Sequence, residues 1–375
     1  RGCCRHRPDE QARRFLPRQR HQSYFFPILK WRKKLLEKKI RFKFFNYHKD
    51  SRIFDCDIVL VGYRYFEQIV KKNYSPKGFE SDDLIFIRKF TQDASSRGVK
   101  KILLNTQDSC LLMHPQTVQW FDLILKKQIF KRKEWYTLDY GGLMQLSWMP
   151  SKWIKENAQP LGAIAEKDLH KIQLGWNIGL NDNRYFPSVF KKYTPFSTTI
   201  IPSNIYNPSG AKDVFSDRPL DFSFRGTVSS TPQGYSRNKM IARINSENNG
   251  SFKAIIGGKI SKNAFLKELE NSKIGLSPFG WGEICHRDFE VMIKGALLFK
   301  PSMEHVETWP SWYLPGQTYC SFSWEMTDLL EKIKFYIENE EERRRIAQNA
   351  QTMYFKYQDD GQLFVDHFCK QLACL

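Results

Sequence analysis

Short apolar runs alternate with longer amphipathic stretches along most of this chain, and few folds satisfy that alternation. An apolar run too short to be a helix buries both faces only as an inner strand of a parallel sheet, and the stretch that follows must be the crossover helix. The sequence predicts a helix over Pro27–Lys39 and a strand over Ile40–Asn46. Further strands are predicted at Cys56–Arg64 and Lys100–Ser109, with a strand and its exit loop at Phe121–Phe130. A helix over Asp82–Arg97 stops at Gly98, a natural C-terminal breaker. Order is lost across Leu138–Ser216, which includes KIQLGWNIGLNDNRYFP.

The alternation returns at Asp221. Strands are predicted at Asp221–Ser230, Phe252–Ile260, Lys273–Pro278, Ala296–Ser302 and Thr318–Trp324. The helices between and after them are Tyr235–Asn245, Lys262–Asn271 with Ser261 as N-cap, Ile284–Lys294 closed by Gly295, Thr327–Asn339 and Glu341–Tyr357. The fold class is therefore α/β, with two Rossmann-like domains facing a cleft. Residues 1–22 form a basic tail without apolar periodicity, predicted to be disordered. The first Rossmann-like domain is placed at 23–200 and the second at 201–357, with 358–375 a last helix that packs back on the first domain.

With 41% hydrophobic and 15% aromatic residues, the 375-residue chain has the composition of a folded protein. It has no apolar run long enough to span a bilayer as a helix, so a cytoplasmic location is expected, or a Golgi or ER lumen if an anchor precedes Arg1. The formal charge is +19, and the first 50 residues alone contribute 16 Lys/Arg against 4 Asp/Glu. Such a segment predicts contact with an anionic membrane surface. Nucleic acid is disfavoured, because the charge lies in the tail and no RNP or zinc-finger signature occurs. The eight cysteines form no C-x-x-C pair and are expected to be reduced thiols.

The densest chemistry lies in LSPFGWGEICHRDFEVMIKGALLFKP, residues Leu276–Pro301. A strand ends, a loop with Gly280 and Gly282 allows backbone amides to approach a ligand, and a helix begins whose N-terminus can hold a phosphate. Arg287 and Glu290 are spaced to share one helix face, with Glu283 a turn earlier. A guanidinium there neutralises a diphosphate, and a carboxylate one turn on accepts hydroxyl hydrogen bonds. The bland alternative is an Arg287–Glu290 ion pair on an ordinary helix. Arg225 and Gly226, Arg237 and Asp288 complete the candidate binding set.

This stretch resembles the donor-site motif of GT-B glycosyltransferases, specifically the exostosin-like and spore-maturation-type group: a strand, a loop, R-x-x-E at Arg287 and Glu290, then Gly295–Ala296 and an apolar strand ending at Pro301. FRGTVS (Phe224–Ser229) extends the resemblance upstream. It implies transfer of a sugar from a nucleotide-diphosphate sugar to a hydroxyl of a glycan, a glycolipid or other lipid-linked acceptor, or a protein-linked glycan. The nucleotide sugar is then a co-substrate, and no other cofactor is expected. A metal-independent mechanism is expected. Retaining families of this fold carry two glutamates with seven residues between them; counted back from Glu290 the first falls on Gly282, with Glu283 one place off, so the stereochemistry stays open. An inverting enzyme needs a general base, and Asp108 at a strand exit is the candidate, with Asp139 and His114 as rivals. His286 is a helix-start residue with a weaker claim to catalysis.

Overall fold

The computed structural model describes residues 24–45, 50–63, 66, 81–112, 114–139, 162–181, 210–227, 232–247 and 250–375. The chain opens with two short helices, α1 (Phe26–Lys30) and α2 (Arg32–Glu37). Residues 40–45 form no strand, contrary to the sequence expectation, and the end of that expected element lies outside the described residues. Lys39 turns the chain with a φ of 62°, and the aromatics beyond it go to ring contacts instead of a ladder: Phe42 lies 6.0 Å from Phe368. The expected tail at 1–22 also lies outside the described residues.

Next come β1 (Ile58–Gly62), α3 (Ser81–Ser96), β2 (Lys100–Asn105), β3 (Leu123–Lys126), β4 (Gln128–Phe130) and β5 (Ile172–Leu174). Strands β1, β2, β3 and β5 pair in that order, all parallel. The residues of β3 are buried throughout, as an inner strand requires. Gly98 takes φ +73° just past α3, the left-handed conformation that ends a helix cheaply on glycine.

The second unit runs β6 (Leu220–Arg225), α4 (Pro232–Glu247), β7 (Ala254–Gly257), α5 (Lys262–Glu270), β8 (Ser272–Leu276), α6 (His286–Ile293), β9 (Leu297–Pro301), β10 (Val306–Thr308), β11 (Cys320–Phe322), α7 (Leu329–Glu338), α8 (Glu340–Asp359) and α9 (Gly361–Leu372). Its sheet order is β11-β9-β8-β6-β7, again all parallel. The order reverses between β6 and β8. That is the switch point at which open α/β sheets leave a crevice beyond their carboxyl ends. Ser261 caps α5 through the Ala264 amide at 3.3 Å, as expected from sequence.

The carboxyl ends of the two sheets meet, which is the GT-B arrangement. The loop after β2 lies against the loop after β8 so closely that a Cβ on Gly282 would stand 1.6 Å from the Asp108 carbonyl oxygen. Beside it, Glu283 is wholly buried and its carboxylate accepts the Cys110 amide at 3.1 Å and the Gln128 side-chain amide. A second tie has no local mark in the sequence: β4 leaves the first unit to pair antiparallel with β10 of the second. At the far end, α9 returns to the first unit. His367 donates from Nε2 to the Leu174 and Gly175 carbonyls at 2.9 Å, and its ring stacks on Trp309 at 3.8 Å. The Gly361 backbone lies flat on Trp31, where a Cβ would come within 2.3 Å of the indole.

Two predictions follow from this seam. Gly282→Ala must push the loops apart, and denaturant unfolding is expected to show a loss of about 3 kcal/mol or more; an unchanged midpoint would contradict the contact. Burial pushes the Glu283 carboxyl up, against the opposing hydrogen bonds from Cys110 and Gln128. Because the folded pKa exceeds the unfolded one, the ionised form costs stability at neutral pH, and the cost is relieved as pH falls through the folded value. His305, 3.9 Å away, is held down to about 4 by burial and stays neutral over that range. Wild-type stability measured against Glu283→Gln should therefore rise as pH is lowered from neutral, and a pH-independent difference would refute the assignment.

Candidate functional site

At the β6/β8 switch point, two arginines converge on two glycines. Arg287, in the first turn of α6, donates from Nη2 to the Arg225 carbonyl at 2.6 Å and lies over the Phe224 ring at 4.9 Å. Its Nε and Nη1 are buried without a hydrogen-bond partner. Arg237, on α4, donates to the Thr227 carbonyl at 3.1 Å, and its Nε is likewise buried without a partner. Burial, and then the nearby positive charge of Arg287, hold the Arg237 guanidinium below its ordinary value. Among the described residues neither arginine has a carboxylate within ion-pair distance. Such a pair is costly to keep together unless an anion joins it.

The glycines make the room. A Cβ on Gly280 would stand 2.6 Å from Arg237 Nη2, and one on Gly226 would stand 3.3 Å from Arg287 Nη2 and 2.8 Å from the Phe224 ring. Backbone therefore lies directly against both guanidinium groups. Helix α6 presents its N-terminus to the same crevice, with Cys285 as N-cap in a capping box with Asp288.

Arg287 and Glu290 do not pair with each other, so the ordinary-helix alternative fails. Glu290 turns instead to Lys262 at the start of α5, where one carboxylate oxygen, Oε1, takes the ammonium. His286, on the exposed edge of α6, is solvent-accessible yet surrounded by protein. Burial by that surrounding mass lowers its pKa, and the charges of Glu290, Lys127, Lys262 and Asp108 all act on it. Asp108 thus lies across the crevice from α6, its Oδ1 ion-paired to Lys127 at 3.0 Å.

Several expected ligand contacts are corrected by the geometry. Arg225 is committed: Nε and Nη2 form a two-pronged bond with Glu268, both at 2.8 Å, and that bond raises its pKa. Glu283 and Gly282 serve the seam, not the crevice, because one is fully buried and the other packs against Asp108. Asp288 is neither a ligand contact nor a solvent-facing carboxylate. It is fully buried between Lys300 at 3.1 Å, Tyr313 Oη at 2.6 Å and Ser277 Oγ at 2.5 Å. Burial raises its pKa, but Lys300, Ser277 and Tyr313 outweigh that and hold it below the usual carboxylate range. Of the rivals to Asp108, His114 is buried in a stack with Tyr63 and pushed down to about 3. Asp139 is exposed and accepts the Gly162 amide, remote in sequence, at 3.1 Å.

Sequence reasoning missed Lys262, Glu268 and Phe224. Each acts through a partner remote in sequence, and no local pattern marks it. Among the described residues, no group of three or more His, Cys, Asp or Glu side chains is placed to hold a metal ion, and no helix is long and apolar enough to cross a membrane.

Residues 219–359 match a family model described as glycosyl transferase-like, which spans the whole second sheet and both crevice arginines. No curated protein sequence matches the chain. Similar solved structures include an alpha-glucosyltransferase in complex with UDP-glucose and DNA containing an abasic site. It is 12% identical, with 92% of this chain and 84% of that chain covered and a TM-score of 0.41. HepE from Anabaena, in complex with UDP-glucose, is 11% identical over 83% of this chain and 82% of that chain, with a TM-score of 0.40. A glycosyltransferase from Rickettsia africae is 16% identical over 84% of this chain and 88% of that chain, with a TM-score of 0.37.

Proposed function

We propose that this chain transfers a sugar from a nucleoside diphosphate sugar to a hydroxyl of a glycan-type acceptor, free or lipid-linked, without a metal. The observation that carries the reading is the Arg237–Arg287 pair, two half-buried cations at a β/β switch point that, among the described residues, share no carboxylate and keep buried donors without a partner. The donor diphosphate would lie across both guanidinium groups and the α6 N-terminus. Charge develops on the leaving diphosphate as the glycosidic bond breaks, and preorganised donors stabilise it there. The Oε2 of Glu290 would accept sugar hydroxyls while Lys262 holds the side chain in place. The match of the second sheet to a glycosyl transferase-like model supports the same chemistry, and the R-x-x-E motif points to the exostosin-like and spore-maturation-type group. Asp108 would act as general base, its carboxylate positioned by the ion pair with Lys127, and contact of the basic N-terminal segment with anionic lipid would bring a lipid-linked acceptor within reach.

The direct test is a screen of nucleotide sugars for turnover by the full chain. Arg287→Ala and Arg237→Ala should each lower kcat/KM by about 100-fold or more, the scale of losing one preorganised donor to a developing anion. Arg225→Ala, whose fork is already taken by Glu268, should change donor KM by no more than about threefold, the cost of a partly exposed pair. Equal losses in all three would overturn the assignment, and tight nucleotide-sugar binding without turnover would reduce the chain to a binding module.

The same loop places Trp281 between the donor arginines and the seam, with Gly280 and Gly282 on either side, and leaves 52% of it exposed. An indole kept in solvent there offers a flat apolar face to a sugar ring. Trp281→Ala should raise acceptor KM about tenfold, the scale of one aromatic contact, and leave donor KM unchanged; a shift in donor KM alone would place Trp281 on the donor instead.

A further inference from the structure

A second basic hollow lies at the opposite edge of the second sheet. It is a cavity of 340 Å³ formed where β6, β8 and β9 begin, below Pro219, Lys273 and Gly295, with α8 as its other wall. Pockets of this size take small organic ligands. Four cations face it: Arg218, Lys273, Arg343 and Arg344. Its own carboxylates are Asp217 and Glu340.

The carboxylates do not match the cations. Glu340 takes Arg344 at 2.5 Å and reaches Arg343 only at 3.8 Å. Lys273 is met by Asp221 at 2.7 Å. Arg218 is buried, and its guanidinium donates only to carbonyls, those of Asp213, Leu269, Glu270, Ser272 and Lys294, at 2.7–3.2 Å. Among the described residues no carboxylate pairs with it directly, though those of Asp213 and Glu270 act on its charge from nearby, and its position is fixed. Burial, and then the repulsion of Arg343, bring its pKa down to about 10. Arg343 is anchored in the same way, by the Tyr336 carbonyl at 2.9 Å and that of Ile337 at 3.3 Å. Val214 and Ala347 add apolar wall. A surplus of rigidly held guanidinium beside an apolar surface suits a phosphate carried on an organic body.

We infer that this hollow binds a phosphorylated small molecule at a site separate from the crevice of Arg237 and Arg287. The two sites stand at opposite ends of the same strands. The Arg218 guanidinium grips the last carbonyls of α5 and the carbonyl that follows α6, and those helices carry Lys262 and Arg287 at their other ends, with Glu290 a turn after Arg287. A ligand that draws on Arg218 thus touches the anchorage of the crevice.

Calorimetric titration of inorganic pyrophosphate into the full chain tests the inference. The wild type should bind two equivalents. Arg344→Gln combined with Lys273→Gln, both partly exposed, should weaken one site by about tenfold or more and leave the other. Arg287→Ala should remove the other and leave the first. A single equivalent abolished by Arg287→Ala, or two equivalents indifferent to the Arg344 and Lys273 changes, would overturn the second site. Two equivalents indifferent to Arg287→Ala, with one lost on changing Arg344 and Lys273, would uphold the hollow and defeat the crevice reading instead.

Discussion

The arrangement of this molecule depends on one buried carboxylate. Glu283 extends from the loop after β8 into the first unit, where backbone and side-chain amides of Cys110 and Gln128 meet it out of water. A carboxylate without those donors could not stay there. With them, it fixes the distance between the two sheets and brings Asp108 against Gly282. Lys126, also fully buried, stiffens the same strand ends from the first unit by donating to the Ser109 and Leu111 carbonyls at 3.3 and 3.0 Å.

Helix α6 sorts its charges by direction. Asp288 points inward to Lys300, so the loop of Gly280 and the helix N-terminus are held by a buried ion pair with its hydrogen bonds filled. Arg287 points across to β6, and Glu290 across to α5. A single turn and its flank thus tie together three separate segments. Among the described residues the crevice arginines have no carboxylate partner, and the acids of the neighbouring elements are taken by other cations: Glu268 with Arg225, Glu290 with Lys262, Asp288 with Lys300.

Much of the fold was legible because parallel strands must be apolar and crossover helices must be amphipathic. Every strand expected from Asp221 onward is present, and each ends before its expected limit. The expected strand at Ile40–Asn46 failed because alternating apolar residues fit any half-buried extended segment, and only an available neighbour makes a ladder. The site was half legible. Arg287, Arg237, Gly226 and Gly280 come together around one crevice. Arg225, Glu283 and Asp288 do not, because a charged residue at a strand end looks the same in sequence whether it meets a ligand or a distant side chain. The partner that decides the matter lies dozens of residues away, as Glu268 does from Arg225.

The segment that matches the family model is not a separable piece. Gly179, from the first unit, fits against Trp312 and Phe289 so tightly that a Cβ there would come within 2.0 Å of the indole. Asn177 donates to the Trp309 and Pro310 carbonyls at 3.0 and 3.2 Å. Phe289 lies 4.9 Å from Trp312 on the helix that bears Arg287. Cutting the chain between the two sheets would strip a stretch of the first unit from beneath that helix and leave each fragment an open apolar face. The unit of inheritance and the unit of folding therefore have different boundaries here, and a swapped second half would have to bring its own filling for the space under α6.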